Sequence, residues 1–84
     1  MTKEEITTKV TDEIVKLFGV SRENVTPDAR IIEDLGADSL DAVELLMNLE
    51  TMFNICIPEA DADNKRTVAD IVDYIDSRLK EKER

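Results

Sequence analysis

Apolar residues recur at helical spacing near the start of the chain, where Ile6, Val10, Ile14, Leu17 and Phe18 share one face and charged or hydroxyl residues fill the others. Thr2, with Glu5 three residues later, reads as a capping box, and Gly19 reads as the stop. From Val20 to Ala37 the periodicity lapses, and Pro27 and Gly36 punctuate a long connection. Its Val25, Ile31, Ile32 and Leu35 are expected to pin it to the core as an ordered loop. A second helix is expected from an Asp38 cap to about Phe53, a run with no Gly or Pro. Pro58 then halts regular structure, leaving room for a short helical turn over Glu59 to Asp63. Thr67 and Asp70 open a last helix with Val68, Ile71, Val72, Ile75 and Leu79 as its inner stripe, and residues 79–84 read as a frayed tail.

No segment alternates in the manner of a strand. The pattern predicts an all-α fold, a small four-helix bundle of three long helices and one short one, with a long ordered loop after the first. At 84 residues, positions 1–84 form a single domain.

Composition adds an acidic surface to this picture. The chain is 42% hydrophobic and 37% charged, with a formal charge of -9, which fits a folded acidic globule rather than a disordered chain. The N-terminal apolar residues are interrupted by charges, so neither a signal-peptide core nor a membrane span is expected, and the cytoplasm is the expected location. The single cysteine, Cys56, fits a reducing compartment and reads as a small semi-buried residue.

The charge is unevenly placed. Between Ile31 and Asn64 there are nine acids and no base, while the flanking segments nearly balance. Such a segment repels nucleic acid and anionic membranes and suits partners with Lys and Arg patches, although an acidic face kept for solubility is equally consistent with it. The tract DADNKRT at Asp61 fails the calcium-loop spacing, because Lys65 and Arg66 stand where a ligand and the turn glycine belong. Loose divalent binding that relieves repulsion stays open.

On the second helix, Ala42, Leu45, Leu46, Leu49 and Phe53 make an ordinary core stripe. Leu40, Val43 and Met47 cluster on another side, edged by Asp41, Glu44 and Glu50. An apolar patch in an acidic rim suits docking, and cover by the loop or the short turn would make the same three residues core.

Ser39 stands at the start of this helix. As a hydrolytic nucleophile it would need a nearby base, yet the chain has no histidine and no lysine between Lys16 and Lys65, so an enzyme is a poor reading. A plain helix-start residue is one reading. A modification site is the other, because free N–H groups and the positive dipole end would stabilise a phosphate ester there.

The run Asp34-Leu35-Gly36-Ala37-Asp38-Ser39-Leu40-Asp41, continued by Val43-Glu44-Leu45, resembles the attachment motif of acyl carrier proteins. Phe18-Gly19-Val20, Ile57-Pro58 and Thr67-Val68 extend the likeness over nearly the whole chain, towards the stand-alone carriers of fatty-acid synthesis. The resemblance implies a non-catalytic, monomeric carrier of acyl thioesters on 4'-phosphopantetheine, attached to Ser39 by a phosphopantetheinyl transferase. It also implies that Asp38, Leu40, Asp41, Val43, Glu44, Met47 and Glu50 engage that transferase, fatty-acid synthase component enzymes and acyltransferases through basic docking patches. A specialised carrier, for polyketide or cell-envelope acyl transfer, and an unmodified acidic adaptor are the competing readings. Thr51, Asn54 and Cys56 depart from the family pattern, standing where acids are common.

Overall fold

The computed structural model describes residues 2–58 and 67–82. Its helices are α1 (Lys3–Phe18), α2 (Ser39–Phe53) and α3 (Val68–Lys82), with a single 3-10 turn at Arg22–Asn24. Among the described residues there is no strand, only an isolated bridge between Arg30 and Thr67. The expected short helical turn at Glu59 to Asp63, and most of the tract tested for calcium, lie outside the described residues.

Each long helix begins as its sequence dictates. Thr2 Oγ1 accepts from Glu5 N at 3.2 Å while Glu5 Oε1 accepts from Thr2 N at 3.2 Å, which satisfies two donors that the helix itself leaves bare. α1 ends at Gly19, whose φ of 67° is the left-handed conformation that glycine adopts without a Cβ clash. α3 repeats the opening, with Asp70 N donating to Thr67 Oγ1 at 3.1 Å and Thr67 N donating to Asp70 Oδ2 at 3.2 Å. At the close of α2, Asn54 takes the left-handed position (φ 54°), a role asparagine tolerates better than most residues.

The other two helices both pack on α1. The core joins Ile6, Val10 and Ile14 of α1 to Leu45, Leu49 and Phe53 of α2 and to Val68, Ile71, Val72 and Ile75 of α3. Ala42 and Leu46 pack at its edge. Burying each large apolar side chain is worth about 1.5–3 kcal/mol. The exposed ion pairs, such as Lys3–Asp73 and Arg30–Glu33, are screened by water and add little to stability. The apolar seam therefore holds the helices together.

The connection from α1 to α2 contributes Ala29, Ile31, Leu35 and Ala37 to the core, and Val25 packs against it. Ile32 departs from expectation. It is 50% exposed, because Arg30 to Leu35 close into one helical turn that sends its neighbour Ile31 inward instead. The expected fraying of residues 79–84 is also corrected as far as Lys82: α3 continues to that residue, Leu79 packs on the core, and Lys82 Nζ donates to the Asn54 carbonyl at 2.6 Å. Lys80 and Lys82 further suit the negative end of the helix dipole.

Candidate functional site

The site is the N-terminus of α2. The approach to it is Gly36, left-handed at φ 76°, then Ala37, buried and donating its N–H to the Ile31 carbonyl at 3.3 Å. Asp38 is the N-cap in extended conformation, and its Oδ1 accepts from Asp41 N at 2.8 Å. Asp41 Oδ2 accepts in turn from Asp38 N at 3.4 Å. Asp41, read from sequence as part of a docking rim, is thus also half of a capping box. The signal was present in the Asp-x-x-Asp spacing.

Ser39 is the first residue of α2 and is exposed. Its side chain has no hydrogen-bond partner among the described residues, and neither has its N–H or that of Leu40. Two bare backbone donors therefore flank an accessible hydroxyl at the positive end of a helix, an arrangement that favours an attached phosphate. Among the described residues no base is hydrogen-bonded to the hydroxyl to activate it.

Beyond Ser39, α2 exposes a continuous apolar strip. Leu40 is 79% exposed, Val43 53% and Met47 59%, so these three residues are surface rather than core. Glu44 and Asp38 are exposed as well, and no ion pair engages any of Asp38, Asp41, Glu44 or Glu50 among the described residues. Glu50 is placed differently. It is half-buried and its Oε2 accepts from Ile57 N at 3.0 Å, fixing the chain that leaves α2. That tie links residues seven apart through an irregular segment, so no periodic pattern announces it.

The far end of α2 holds an open depression of about 300 Å³ lined by Asn54, Ile55, Cys56, Arg78, Glu81 and Lys82. It lies a helix length, roughly 20 Å, from Ser39. Here Arg78 Nη2 donates to the Cys56 carbonyl at 3.2 Å, and the Cys56 thiol is exposed rather than semi-buried as its sequence context suggested.

A family model for the phosphopantetheine attachment site matches residues 8–75. The chain belongs to the acyl carrier protein family. It is 52% identical over 67 residues to the acyl carrier protein of Syntrophobacter fumaroxidans, covering 80% of this chain and 83% of that one. It is 48% identical over 75 residues to that of Chlorobium phaeovibrioides, covering 89% and 96%. Among solved structures, an acyl carrier protein from Enterococcus faecalis superposes with a TM-score of 0.80 at 38% identity, over 93% of this chain and 99% of that one. Membership makes this chain a carrier of acyl groups on covalently attached 4'-phosphopantetheine, and fatty-acid synthesis is the family's usual setting. The exposed hydroxyl and its two bare N–H groups fit such a phosphodiester. No helix of the described carrier is long and apolar enough to cross a membrane.

Proposed function

We propose that Ser39 is the point at which this carrier holds 4'-phosphopantetheine, and that it works as a stand-alone, non-catalytic monomer of cytoplasmic fatty-acid synthesis. The observation that carries the assignment is the exposed hydroxyl at the first position of α2, between donors that no group among the described residues uses. The chain has two other serines. Ser21 precedes only a 3-10 turn of three residues, and Ser77 lies inside α3 and beyond the stretch that the family model matches.

Docking follows from the same face. Leu40, Val43 and Met47 supply apolar contact, while Asp38, Asp41 and Glu44 steer basic patches of a phosphopantetheinyl transferase, synthase enzymes and acyltransferases. Glu50 joins them at the edge, with its carboxylate partly committed to Ile57 N. The functional division is between an α2 outer face left for partners and an inner face used by the core.

The test is intact mass after incubation with coenzyme A and a promiscuous transferase, with fragmentation to locate the adduct. One phosphopantetheine group on Ser39, absent in Ser39→Ala, supports the proposal. Loading that persists in Ser39→Ala, or a wild-type chain that stays unmodified, overturns it; the second result makes an unmodified acidic adaptor the better reading. For the docking face, Glu44→Lys weakens partner binding well beyond Glu4→Lys, a change of equal charge on exposed α1. Equal losses would assign the effect to net charge alone.

A further inference from the structure

Ser39 is presented by a turn rather than by a free loop. Asp34 N and Leu35 N both donate to the Arg30 carbonyl, at 2.9 and 3.1 Å, which closes residues 30–35 into a single helical turn. Asp34 closes it a second time, because its Oδ2 accepts from Arg30 N at 2.8 Å and lies 3.5 Å from Arg30 Nε. Glu33 holds only the guanidinium, at Nη1.

This turn is fixed at both sides. Behind it, the Pro27 and Ala29 carbonyls accept from Ala69 N at 2.9 Å and Val68 N at 3.0 Å, which ties it to the start of α3. Ahead of it, Ala37 N donates to the Ile31 carbonyl, and only Gly36 separates Leu35 from Ala37. The position of Ser39 is inherited from the turn through this short link. A displacement of the reacting group by about 1 Å can cost roughly 100-fold in rate.

We infer that Asp34 is a positioning residue for the modification of Ser39: its carboxylate, by accepting the Arg30 N–H, fixes the turn that sets where the serine hydroxyl stands. The inference rests on the proposed attachment at Ser39. In that transfer the Ser39 Oγ–phosphorus bond forms as the pyrophosphate bond of coenzyme A breaks, adenosine 3',5'-bisphosphate leaves, and the hydroxyl proton passes to a base of the transferase. Asp34 takes no part in these bond changes. It acts through the backbone, so its effect belongs in the rate of transfer and not in docking, which uses the outer face of α2.

A crossed pair of variants separates acceptor from charge. Asp34→Asn keeps an oxygen that can take the Arg30 N–H but drops the charge, while Asp34→Glu keeps the charge and displaces the oxygen by a methylene. Both are assayed for kcat and KM of loading from coenzyme A by a transferase, beside Asp34→Ala and Glu33→Ala, with folding checked by circular dichroism. The expected result is Asp34→Asn within about threefold of wild type and Asp34→Glu about tenfold lower in kcat at an unchanged KM. Asp34→Ala falls at least as far, and Glu33→Ala stays near wild type. The inference is overturned by wild-type kcat in Asp34→Glu, by equal losses in Asp34→Asn and Asp34→Glu, or by losses confined to KM. Because the crossed pair decides, the outcome does not depend on Asp34→Ala folding. A wild-type chain that takes no group on Ser39 sinks the attachment proposal itself, which is a different result.

Discussion

The starts of α2 and α3 are built from the same device and put to opposite use. Both carry a capping box, Asp38 with Asp41 and Thr67 with Asp70. In α3 every one of the first four N–H groups is taken: Val68 by the Ala29 carbonyl, Ala69 by Pro27, and Asp70 and Ile71 by the side chain and carbonyl of Thr67. In α2 the corresponding first two, on Ser39 and Leu40, are left bare among the described residues, and Leu40, Val43 and Met47 point outward. The difference is what lies against each start: the Pro27 and Ala29 carbonyls of the α1–α2 connection seal α3, and no described group meets the first two N–H groups of α2.

The contrast is broken most severely by cutting the apolar side chains behind each start. Ile71→Ala is expected to cost about 2–5 kcal/mol, a large part of what an 84-residue chain has. Val43→Ala is expected to change stability by no more than about 0.5 kcal/mol while weakening partner binding; urea unfolding and a binding titration read the two effects. A stability loss at Val43 comparable to that at Ile71 would mean the outer face of α2 is structural.

Removing the caps sharpens the comparison. Thr67→Ala and Asp38→Ala should each cost about 1 kcal/mol, measured as a shift in urea midpoint, yet only Asp38→Ala should also slow loading of Ser39. The other end of α2 offers a smaller effect. Arg78→Met and Lys82→Met, which lose the bonds to the Cys56 and Asn54 carbonyls, should each cost roughly 0.5–1 kcal/mol by thermal unfolding and leave loading unchanged.

The smallest effect is at α1, whose capped start serves no site. Glu5 is held below the usual carboxylate pKa by the Thr2 N–H first and the Thr2 hydroxyl second. A lowered pKa stabilises the fold above the ordinary glutamate value, about 4.3, and that contribution is lost as pH falls through the folded value. Glu5→Gln should therefore flatten the acid limb of the stability profile slightly and leave neutral pH almost untouched. A steepened acid limb would reverse the sign.

The helices were legible because their signals are local. Thr2 and Glu5, Gly19, Asp38, and Thr67 with Asp70 stand within a turn of the structure they govern, and the inner stripes follow the helical period. Ser39 was legible for the same reason, since its place relative to the Asp38 cap is a matter of one residue. What escaped are choices that only packing makes. Nothing periodic says that Ile31 turns inward and Ile32 outward, because a loop has no fixed face. The helical state of residues 79–82 draws on Lys82 reaching Asn54, and the place of Glu50 on Ile57 N, both tertiary pairings. Asn54, which stands where the family commonly has an acid, proves to be a left-handed cap, a conformational reason for its identity.

The sealing of α3 by Pro27 and Ala29 also orders events in time. α1 and α2 can close their first turns from residues adjacent in sequence, whereas Val68 and Ala69 must wait for carbonyls about forty residues upstream, a closure whose entropy is roughly 3 kcal/mol. On refolding, the amides of Val68 and Ala69 should therefore gain protection from hydrogen exchange later than those within α1, and pulse labelling would show it. Because the same turn leads through Gly36 and Ala37 to Ser39, the proposed loading of a newly made chain is expected to become efficient only once its last helix has docked.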